Sequence, residues 1–461
     1  MNSSVNFREI GLGGGSQVVA WTAQGAVTAD QLRQRVLTLA AAVAPLAACR
    51  VALWASDSYE FLTAFLALAL SGKHIVLPHN LHAGSSVQMA QHFDALISDQ
   101  PQAALDCPQC LPSELISQAQ ASDCAPANIH SAPVTGVVDI TLFTSGSTGA
   151  PQPVHKTLGE LEAEVAVLQR DFPALGTTPV VTSVSHHHIY GLLHVLLWPL
   201  ARGAAFVVSP VQFPEHLIEQ LAHYGPAVWV ASPTHLGRIP ASPHFRRVVP
   251  QLREVFSSGG LLSGLTAKNV ASELGYAPIE VLGSTETGGV AWRRQNGSAH
   301  WQPLSDVALS QSPRQCLLVK SQHLNAPEGF EMGDKIRLLP GGGFELLGRI
   351  DTVVKVEGKR LSLTELEARL NESPWIDHAR AAVIRGRRDE VGVLATLTAC
   401  GEQQLRAGKH QLNTLLRHYL ADFFDRPLLP RRWRYFDNLP SNAQGKLPMA
   451  DIVRCLEERQ K

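Results

Sequence analysis

The chain has 461 residues, 45% of them hydrophobic and 17% charged, and a formal net charge of −1. This length suits about two or three domains with a large core, and the near-neutral charge argues against a nucleic-acid or membrane-surface partner. No apolar run is long enough to span a bilayer, and the N-terminus has neither the basic nor the apolar region of a signal peptide. We therefore expect a cytoplasmic protein without a membrane partner.

Residues 1–130 alternate helical patterns with short apolar runs. We predict helices over 29–43 and 60–70 and strands over 50–54 and 75–78. Pro45 should end the first helix, because proline lacks an N–H and clashes with the preceding turn. The glycine run 11–15 is not a dinucleotide-binding fingerprint, since no long strand precedes it, and we expect a flexible surface loop there. Strands that alternate with helices indicate parallel sheets with covered faces.

Cys107 and Cys110 form a C-x-x-C pair in a segment that is typical of a loop. With Cys124 and His130 they could bind zinc, but an isolated C-x-x-C pair is a weak signal. Seven cysteines in this length do not make a disulfide framework either. We therefore favour a loop without a metal.

The middle of the chain contains predicted strands over 137–143, 179–184, 205–208, 227–230, 254–260 and 279–283, and a predicted helix over 157–169. Three of the strands, 137–143, 254–260 and 279–283, run into loops of Gly, Ser and Thr. Ligands of parallel sheets bind beyond the carboxyl ends of the strands. We therefore predict that these three loops form one shared site.

A domain boundary is predicted near residue 350. Gly341-Gly342-Gly343 makes a tight turn in a β-rich stretch that ends at Leu347. About 110 residues follow, a length that suits a small domain. They contain predicted strands over 355–356, 379–384 and 392–398 and helices over 363–370 and 411–423. The predicted fold class is α/β, with a large N-terminal domain (1–350) of parallel-sheet α/β subdomains plus a β-rich subdomain, and a small α+β C-terminal domain (351–461).

The most informative stretch is the hydroxyl-rich loop, Thr144-Ser145-Gly146-Ser147-Thr148-Gly149. Glycine lets the backbone approach an anion closely, and successive N–H groups with nearby hydroxyls form a nest for phosphate. The loop is not a Walker motif, because Ala150 follows Gly149 and the nearest later lysine is Lys156. We predict that a nucleotide triphosphate binds here; the alternative is a Ser/Thr-rich surface turn.

Taken in chain order, seven motifs resemble those of the acyl-adenylate-forming superfamily, which includes acyl- and aryl-CoA ligases, nonribosomal adenylation domains and luciferases. They are the hydroxyl-rich loop, His188-Ile189-Tyr190-Gly191, Ser258-Gly259-Gly260, Gly283-Ser284-Thr285-Glu286, Gly333-Asp334, Gly348-Arg349-Ile350-Asp351 with Lys355 and Gly358, and Pro440 through Gly445-Lys446. The resemblance covers roughly residues 50–450. Seven motifs in the family's order are far more specific than any one motif.

The resemblance implies a reaction in two steps. A carboxylate attacks the α-phosphate of ATP to give an acyl-AMP and pyrophosphate. The thiol of CoA or of an acyl carrier protein then attacks the mixed anhydride to give a thioester and AMP. Because the first step concentrates negative charge, preorganised electrostatic partners, with Mg²⁺ as the expected cofactor, should dominate its catalysis.

The resemblance also assigns roles to individual residues. The hydroxyl-rich loop would hold the β- and γ-phosphates, Glu286 would bind Mg²⁺ and Thr285 would contact the α-phosphate. Asp334 would accept hydrogen bonds from both ribose hydroxyls, and Arg349 would reach the ribose or a phosphate. A plain surface ion pair between Asp334 and Arg349 is the alternative. Further ATP or AMP contacts would come from Gly259, Gly260, Gly283 and Ser284.

Lys446 is the expected catalytic lysine of the first step, where its ammonium would bridge the substrate carboxylate and the α-phosphate. The resemblance further implies that the small domain rotates about Asp351 between the two steps. Gly358 would then line the thiol tunnel in the second step. Without the family match, a surface lysine in a loop would be the favoured interpretation of Lys446.

Three consecutive histidines, His186, His187 and His188, precede the acyl-pocket motif. They are not expected to bind one metal ion, because consecutive residues on a strand point to opposite faces. We expect His188 near the substrate carboxylate as a catalytic residue, His187 beside the pocket, and a structural role for His186.

Two positions depart from the family pattern. Gln152 follows Pro151 where the family usually has lysine, and Leu282 stands where an aromatic residue usually stacks on adenine. Lys156 could replace the missing lysine. The N-terminal region also looks short for the family. A degenerate, nucleotide-binding regulator is therefore an alternative function, although the joint presence of the predicted magnesium, ribose and lysine residues argues against it.

Relatives that activate amino acids carry an aspartate near the acyl-pocket motif to bind the α-ammonium, and residues 183–188 contain none. We therefore predict an aryl (hydroxybenzoate-like) or other non-amino acid as substrate. The compact chain and its histidine-rich pocket resemble the stand-alone ligases of bacterial aryl-polyene and related pigment clusters, which implies an acyl carrier protein as acceptor. Because the chain has no carrier attachment motif, any carrier must be a separate partner.

Overall fold

The computed structural model describes residues 5–78, 80–81, 83–100, 102, 105–121, 136–145, 151–239, 243–295, 300–349, 353–356, 359–385, 389–424, 426–440 and 447–458. Within these ranges the strands form five sheets. Two large, mainly parallel sheets come first, and three smaller sheets follow them in the chain.

The smaller of the two large sheets has six strands, and its first five are parallel. The sixth strand is antiparallel to the fifth, with Ser145 opposite Pro151. In spatial order the strands are Gln109–Cys110, Ala95–Ser98, Arg50–Trp54, His74–Leu77, Asp139–Ser145 and Pro151–Thr157.

The other large sheet has nine strands, with a parallel centre and antiparallel strands at both edges. The parallel centre agrees with the alternation of strands and helices in the sequence. In spatial order the strands are Gln302–Pro303, Gly288–Arg294, Ile279–Ser284, Leu252–Ser257, Ala227–Ala231, Val180–Thr182, Phe206–Val207, Val18–Thr22 and Gly25–Thr28.

Residues of both large sheets and of the helices Ala29–Val43, Ser58–Leu70 and Leu158–Asp171 form one continuous hydrophobic core. The first and third helices begin with capping boxes, in which Thr28 and Gln31, or Thr157 and Glu160, satisfy each other's backbone N–H groups. Ser58–Leu70 is apolar on all sides and is buried accordingly. The other helices of this part are Phe7–Leu12, Ala83–Met89, Pro112–Ala121, the continuous helical segment 189–201, Pro214–Tyr224, Pro233–Leu236, Pro243–Val248 and Gly264–Leu274.

The β-rich part is an antiparallel sheet of four strands, Ala308–Gln311, Cys316–Lys320, Phe330–Leu338 and Phe344–Arg349. After it come a hairpin of Val353–Val356 and Lys359–Ser362 and a sheet of Ile376–Ile384, Glu390–Leu397 and Arg432–Tyr435. The helices Leu363–Glu372 and Lys409–Leu420 share a separate core with these strands. Ala399–Ala407 and Met449–Glu457 complete the helices of this smaller α+β part.

Two expectations from the sequence were wrong. Gly11 does not lie in a surface loop: it is a buried residue of the helix Phe7–Leu12, where an added Cβ would contact the Leu66 side chain. Cys110 does not lie in a loop but in the short edge strand Gln109–Cys110. Cys107 packs against a different hydrophobic cluster from Cys110, and burial raises the pKa of both thiols. Cys124 and His130 lie outside the described residues.

None of the helices in the described ranges combines the length and the apolar character that crossing a bilayer requires.

Candidate active site

Two of the three predicted loops lie side by side. The strands Leu252–Ser257 and Ile279–Ser284 are parallel neighbours, so their carboxyl ends lie at the same edge of the nine-stranded sheet. The first continues into Ser258, Gly259 and Gly260, and Ser258 Oγ donates a hydrogen bond to the carbonyl oxygen of Val281 at 2.9 Å. This bond ties the two loops together at the base.

The third loop belongs to the other large sheet. Thr144 and Ser145 are the last residues of the strand Asp139–Ser145, and Thr144 lies opposite Gln152 on the returning strand. Gly146, Ser147, Thr148 and Gly149 lie outside the described residues. The predicted meeting of three loops would therefore be a meeting of two sheets, and that part of the prediction stays a prediction.

The loop after Ile279–Ser284 is a tight turn held by its own hydroxyls. Ser284 Oγ accepts a hydrogen bond from the Thr287 N–H at 3.1 Å, and Thr287 Oγ1 accepts one from the Ser284 N–H at 3.2 Å. A Cβ on Gly283 would overlap the carbonyl oxygen of Gly288, so glycine is required there. The turn leaves Thr285 and Glu286 at its tip, half-buried.

The Glu286 carboxylate makes no hydrogen bond or ion pair with any residue in the described ranges. An unpaired, half-buried carboxylate at a strand end fits Mg²⁺, which takes one or two carboxylates and completes its shell with phosphate oxygens and water. The described residues contain no group of three or more His, Cys, Asp and Glu side chains that could hold a metal ion without such a ligand.

Asp334 and Arg349 are paired across two adjacent antiparallel strands of the β-rich part. Arg349 Nη1 donates to Asp334 Oδ2 at 3.1 Å, and the Asp334 side chain is buried while that of Arg349 is half exposed. This geometry is compatible with a shared ribose site and with a plain ion pair. Asp351, Gly358 and Lys446 lie outside the described residues.

The three histidines do not lie on a strand, contrary to the prediction from the sequence. Residues 186–188 form a turn, and the rings of His186 and His187 are near neighbours, with centroids 4.2 Å apart. His186 Nε2 donates to the Ala55 carbonyl at 2.9 Å, and the His187 ring stacks on Trp54 with centroids 3.6 Å apart. Burial lowers the pKa of His186 to about 4, and burial together with the neighbouring histidines lowers that of His187 to about 2. Both are therefore neutral at pH 7.

His188 is half-buried and is the residue from which the helical segment 189–201 starts. Gly191 belongs to its first turn, where a Cβ would overlap the Ser185 carbonyl oxygen. The segment is π-helical over Leu192–Leu197, a form that is common at functional sites.

Tyr190 and His194 on this helical segment were not singled out from the sequence. Their rings lie 4.6 Å apart, and His194 also contacts Phe256, directly before the Ser257–Gly260 segment. Tyr190 Oη and His194 Nε2 are buried and have no hydrogen-bond partner in the described part of the chain. Burial lowers the pKa of His194 to about 3, so it is a neutral imidazole. Tyr190 lies within the acyl-pocket motif and His194 follows Tyr190 by four residues, about one helical turn, and this spacing was the signal that could have identified them.

Lys156 does not replace the missing lysine of the hydroxyl-rich loop. It is buried, its Nζ donates to the His323 carbonyl at 3.3 Å, and it lies 4.0 Å from Glu160 Oε1. Gln152 is exposed on the neighbouring part of the same strand. Leu282 is half-buried and packs against the core of the β-rich part, so its observed role is packing.

Residues 14–313 of the chain match the family described as AMP-binding enzyme. A 4-coumarate–CoA ligase of Rhodobacter capsulatus is 28% identical over 314 residues, which cover 66% of this chain and 73% of that one. The solved structure of ATP-bound MatB from Rhodopseudomonas palustris has a TM-score of 0.80 at 18% identity and covers 99% of both chains. O-succinylbenzoate coenzyme A synthetase (MenE) from Bacillus subtilis in complex with AMP has a TM-score of 0.78 at 16% identity, again over 99% of both chains. At such identities the likeness to solved structures shows a shared fold, a large parallel-sheet α/β domain with a smaller C-terminal domain, which confirms the predicted fold class.

Proposed function

The chain belongs to the AMP-binding enzyme family, and on that premise we propose that it is an ATP-dependent ligase that joins a carboxylic acid to a thiol through an acyl-AMP. The observation that carries the proposal is the Glu286 carboxylate, which is unpaired among the described residues at the tip of the Ser284–Thr287 turn and lies beside the Ser258–Gly260 loop. A carboxylate kept free at a strand end suits a metal–phosphate ligand. Mg²⁺ bound there with ATP would offset charge on the phosphates.

The chain's own residues would bind and orient ATP around that point. The hydroxyl-rich loop would donate N–H and O–H groups to the β- and γ-phosphates, and Thr285 would donate to the α-phosphate. Asp334 would accept from the ribose hydroxyls, with Arg349 as the neighbouring cation. Lys446 would bring a positive charge between the substrate carboxylate and the α-phosphate, where negative charge accumulates in the first step.

The acid is proposed to be an aryl or other non-amino acid that carries a polar group such as a hydroxyl. The absence of an aspartate in residues 183–188 argues against an α-ammonium. The buried Tyr190 Oη and His194 Nε2, unpartnered within the described residues, support a polar substituent, because a buried donor or acceptor without a partner is costly until a ligand satisfies it. The carboxylate end of the acid would lie near His188.

The acceptor is proposed to be the phosphopantetheine thiol of CoA or of a separate acyl carrier protein. Rotation of the smaller C-terminal part about Asp351 would replace Lys446 by the Gly358 region between the two steps. The similarity to CoA ligases supports CoA as the acceptor. The resemblance of the histidine-rich pocket to the stand-alone ligases of aryl-polyene clusters supports an acyl carrier protein.

Pyrophosphate exchange with a panel of aryl and aliphatic acids tests the proposal. We expect ATP- and acid-dependent exchange that is strongest with hydroxylated aryl acids. Repeating the positive reactions with CoA and with a phosphopantetheinylated carrier protein identifies the acceptor. Exchange with none of the acids would overturn the ligase assignment and favour the alternative, a nucleotide-binding regulator, for which Gln152 and Leu282 are the supporting departures.

A further inference from the structure

A buried carboxylate holds the backbone immediately after the Ser284–Thr287 turn. Glu164 lies on the helix Leu158–Asp171 and is 2% exposed. Its Oε1 accepts a hydrogen bond from the Gly289 N–H at 2.6 Å, and its Oε2 is buried with no partner in the described part of the chain. A polar group that is buried and only partly satisfied costs free energy, so its presence calls for a compensating role.

The same backbone residue is held from its other side. His323, which is 1% exposed, lies in the loop between the strands Cys316–Lys320 and Phe330–Leu338. Its Nε2 donates to the Gly289 carbonyl oxygen at 3.0 Å. Both backbone polar groups of Gly289 are thus taken by side chains from two other elements, which leaves the residue little freedom to shift.

The contact between Glu164 and the turn is also tight. A Cβ on Gly288 would overlap Glu164 Oε2, and Gly288 has a φ of +68°, where residues other than glycine are strained. The carboxylate therefore touches the chain two residues after Glu286.

The helix that carries Glu164 is the direct continuation of the strand that returns from the hydroxyl-rich loop. Pro151–Thr157 pairs with Asp139–Ser145, and Thr157 caps the helix. The Lys156 ammonium joins this junction to the His323 carbonyl. The strand Pro151–Thr157 and the helix that carries Glu164 therefore form one continuous segment.

We propose that Glu164 is a positioning residue that acts through Gly289 to set the Glu286 carboxylate at a fixed place relative to the triphosphate. The inference rests on the proposed function only in that ATP binds at this site with Mg²⁺. A shift of about 1 Å in a ligating group is enough to lose most of its effect. Glu164 itself need not touch the nucleotide.

The test is a double-mutant cycle read by calorimetric ATP binding with and without Mg²⁺. Glu164→Ala is expected to raise the dissociation constant for ATP about tenfold in the presence of Mg²⁺, equivalent to about 1.4 kcal/mol, and to change it little in excess chelator. Glu286→Gln should do the same. The double variant should be no weaker than Glu286→Gln alone, because residues that act through one another are not additive.

Glu162→Ala is the matched control. Glu162 lies on the same helix and accepts a hydrogen bond from the Phe7 N–H at 2.8 Å, far along the chain from the turn. It should leave Mg²⁺-dependent ATP binding unchanged. Glu164→Gln, which retains an acceptor oxygen, should stay near wild type. If Glu164→Ala does not fold, Glu164→Asp carries the test, since its shorter side chain draws the carboxylate away from Gly289.

The positioning role would be overturned if the effects of Glu164→Ala and Glu286→Gln on ATP affinity were additive. It would also be overturned if Glu162→Ala weakened ATP binding equally, or if Glu164→Asp left ATP binding unchanged. The binding readout separates this inference from the proposed function. If wild-type protein binds ATP with Mg²⁺ but catalyses exchange with no acid, the ligase assignment fails and the role of Glu164 is judged on binding alone. If ATP affinity does not depend on Mg²⁺, the inference fails even where exchange is observed.

Discussion

Arg349 Nη1 donates a hydrogen bond to Asp334 Oδ2 at 3.1 Å across neighbouring antiparallel strands. A surface ion pair in such a position is worth about 0–1 kcal/mol. A ribose site would instead place Asp334 in contact with the nucleotide. The two interpretations therefore differ in the effect that loss of the Asp334 carboxylate has on ATP affinity.

We expect Asp334→Asn to weaken ATP binding on the order of tenfold or more, because a charged acceptor of two ribose hydrogen bonds is replaced by a neutral one. The measurement is calorimetric binding of ATP or AMP. Arg337→Gln is the control, because Arg337 pairs with Glu345 on the same two strands and is exposed. Equal nucleotide affinity in both variants would identify Asp334–Arg349 as a plain ion pair.

Lys446→Ala is expected to lower acyl-AMP formation on the order of 10²–10³-fold, the usual cost of removing one preorganised partner of a developing charge. Thioester formation from supplied acyl-AMP should be spared, since Lys446 is proposed to serve the first step alone. Pyrophosphate exchange and single-turnover thiol transfer measure the two steps. Lys268→Ala, an exposed lysine on the helix Gly264–Leu274, should affect neither. Equal loss in both steps would contradict rotation of the C-terminal part.

Tyr190→Phe and His194→Phe are expected to lower kcat/KM for a hydroxylated aryl acid and to spare the acid that lacks the hydroxyl. Each substitution removes a buried polar atom that is unpartnered among the described residues and keeps an aromatic ring in place. His194→Phe also removes the hydrogen bond from Nδ1 to the Tyr190 carbonyl oxygen, so Tyr190→Phe is the cleaner of the two. One lost hydrogen bond of this kind costs about 1–3 kcal/mol. The ratio of kcat/KM for the two acids is the measurement, and a ratio that neither variant changes would remove these residues from the acid site.

The free energy of unfolding should fall as the pH falls from about 6.5 towards 4. Burial lowers the folded-state pKa of His186 to about 4 and that of His187 to about 2, from an ordinary value of 6.5. Below pH 6.5 the unfolded chain therefore binds protons that the folded chain does not, and stability present at neutral pH is lost, at up to about 1.4 kcal/mol per pH unit for each histidine. Urea unfolding at several pH values measures this slope. His187→Phe should flatten it, and an unchanged slope would show that His187 is protonated in the folded state.

Local patterns were enough for much of the fold. The helix Ala29–Val43 has the predicted bounds because Thr28, Gln31 and Pro45 supply its start and stop signals within the same stretch. The strands Arg50–Trp54, Ala227–Ala231 and Ile279–Ser284 were found because β-branched and apolar residues cluster there. The neighbouring Ser258–Gly260 and Gly283–Glu286 loops followed from the rule that parallel strands end at one edge.

The predicted strand at the three histidines and the predicted role of Lys156 were wrong for a common reason. His187 is defined by a ring stack on Trp54, which belongs to the other large sheet, and Lys156 by its contacts with Glu160 and the His323 carbonyl. The Trp54 and His323 contacts join residues that are distant in the chain, so they leave no periodic signal in the sequence. The histidines were expected to point to alternating faces of a strand, but residues 186–188 form a turn.

The sequence by itself therefore determined the order of the elements, the fold class and the family-like motifs, since capping, periodicity and motif order are properties of neighbouring residues. Only the tertiary structure decided which polar groups are buried, satisfied or left unpaired. Glu164 reaches Gly289 across 125 residues of chain, and the His194 ring, whose Nε2 has no partner among the described residues, packs against Phe256 of a distant strand. Burial and hydrogen-bond satisfaction depend on elements that are distant in the chain, and so does the inferred positioning of Glu286.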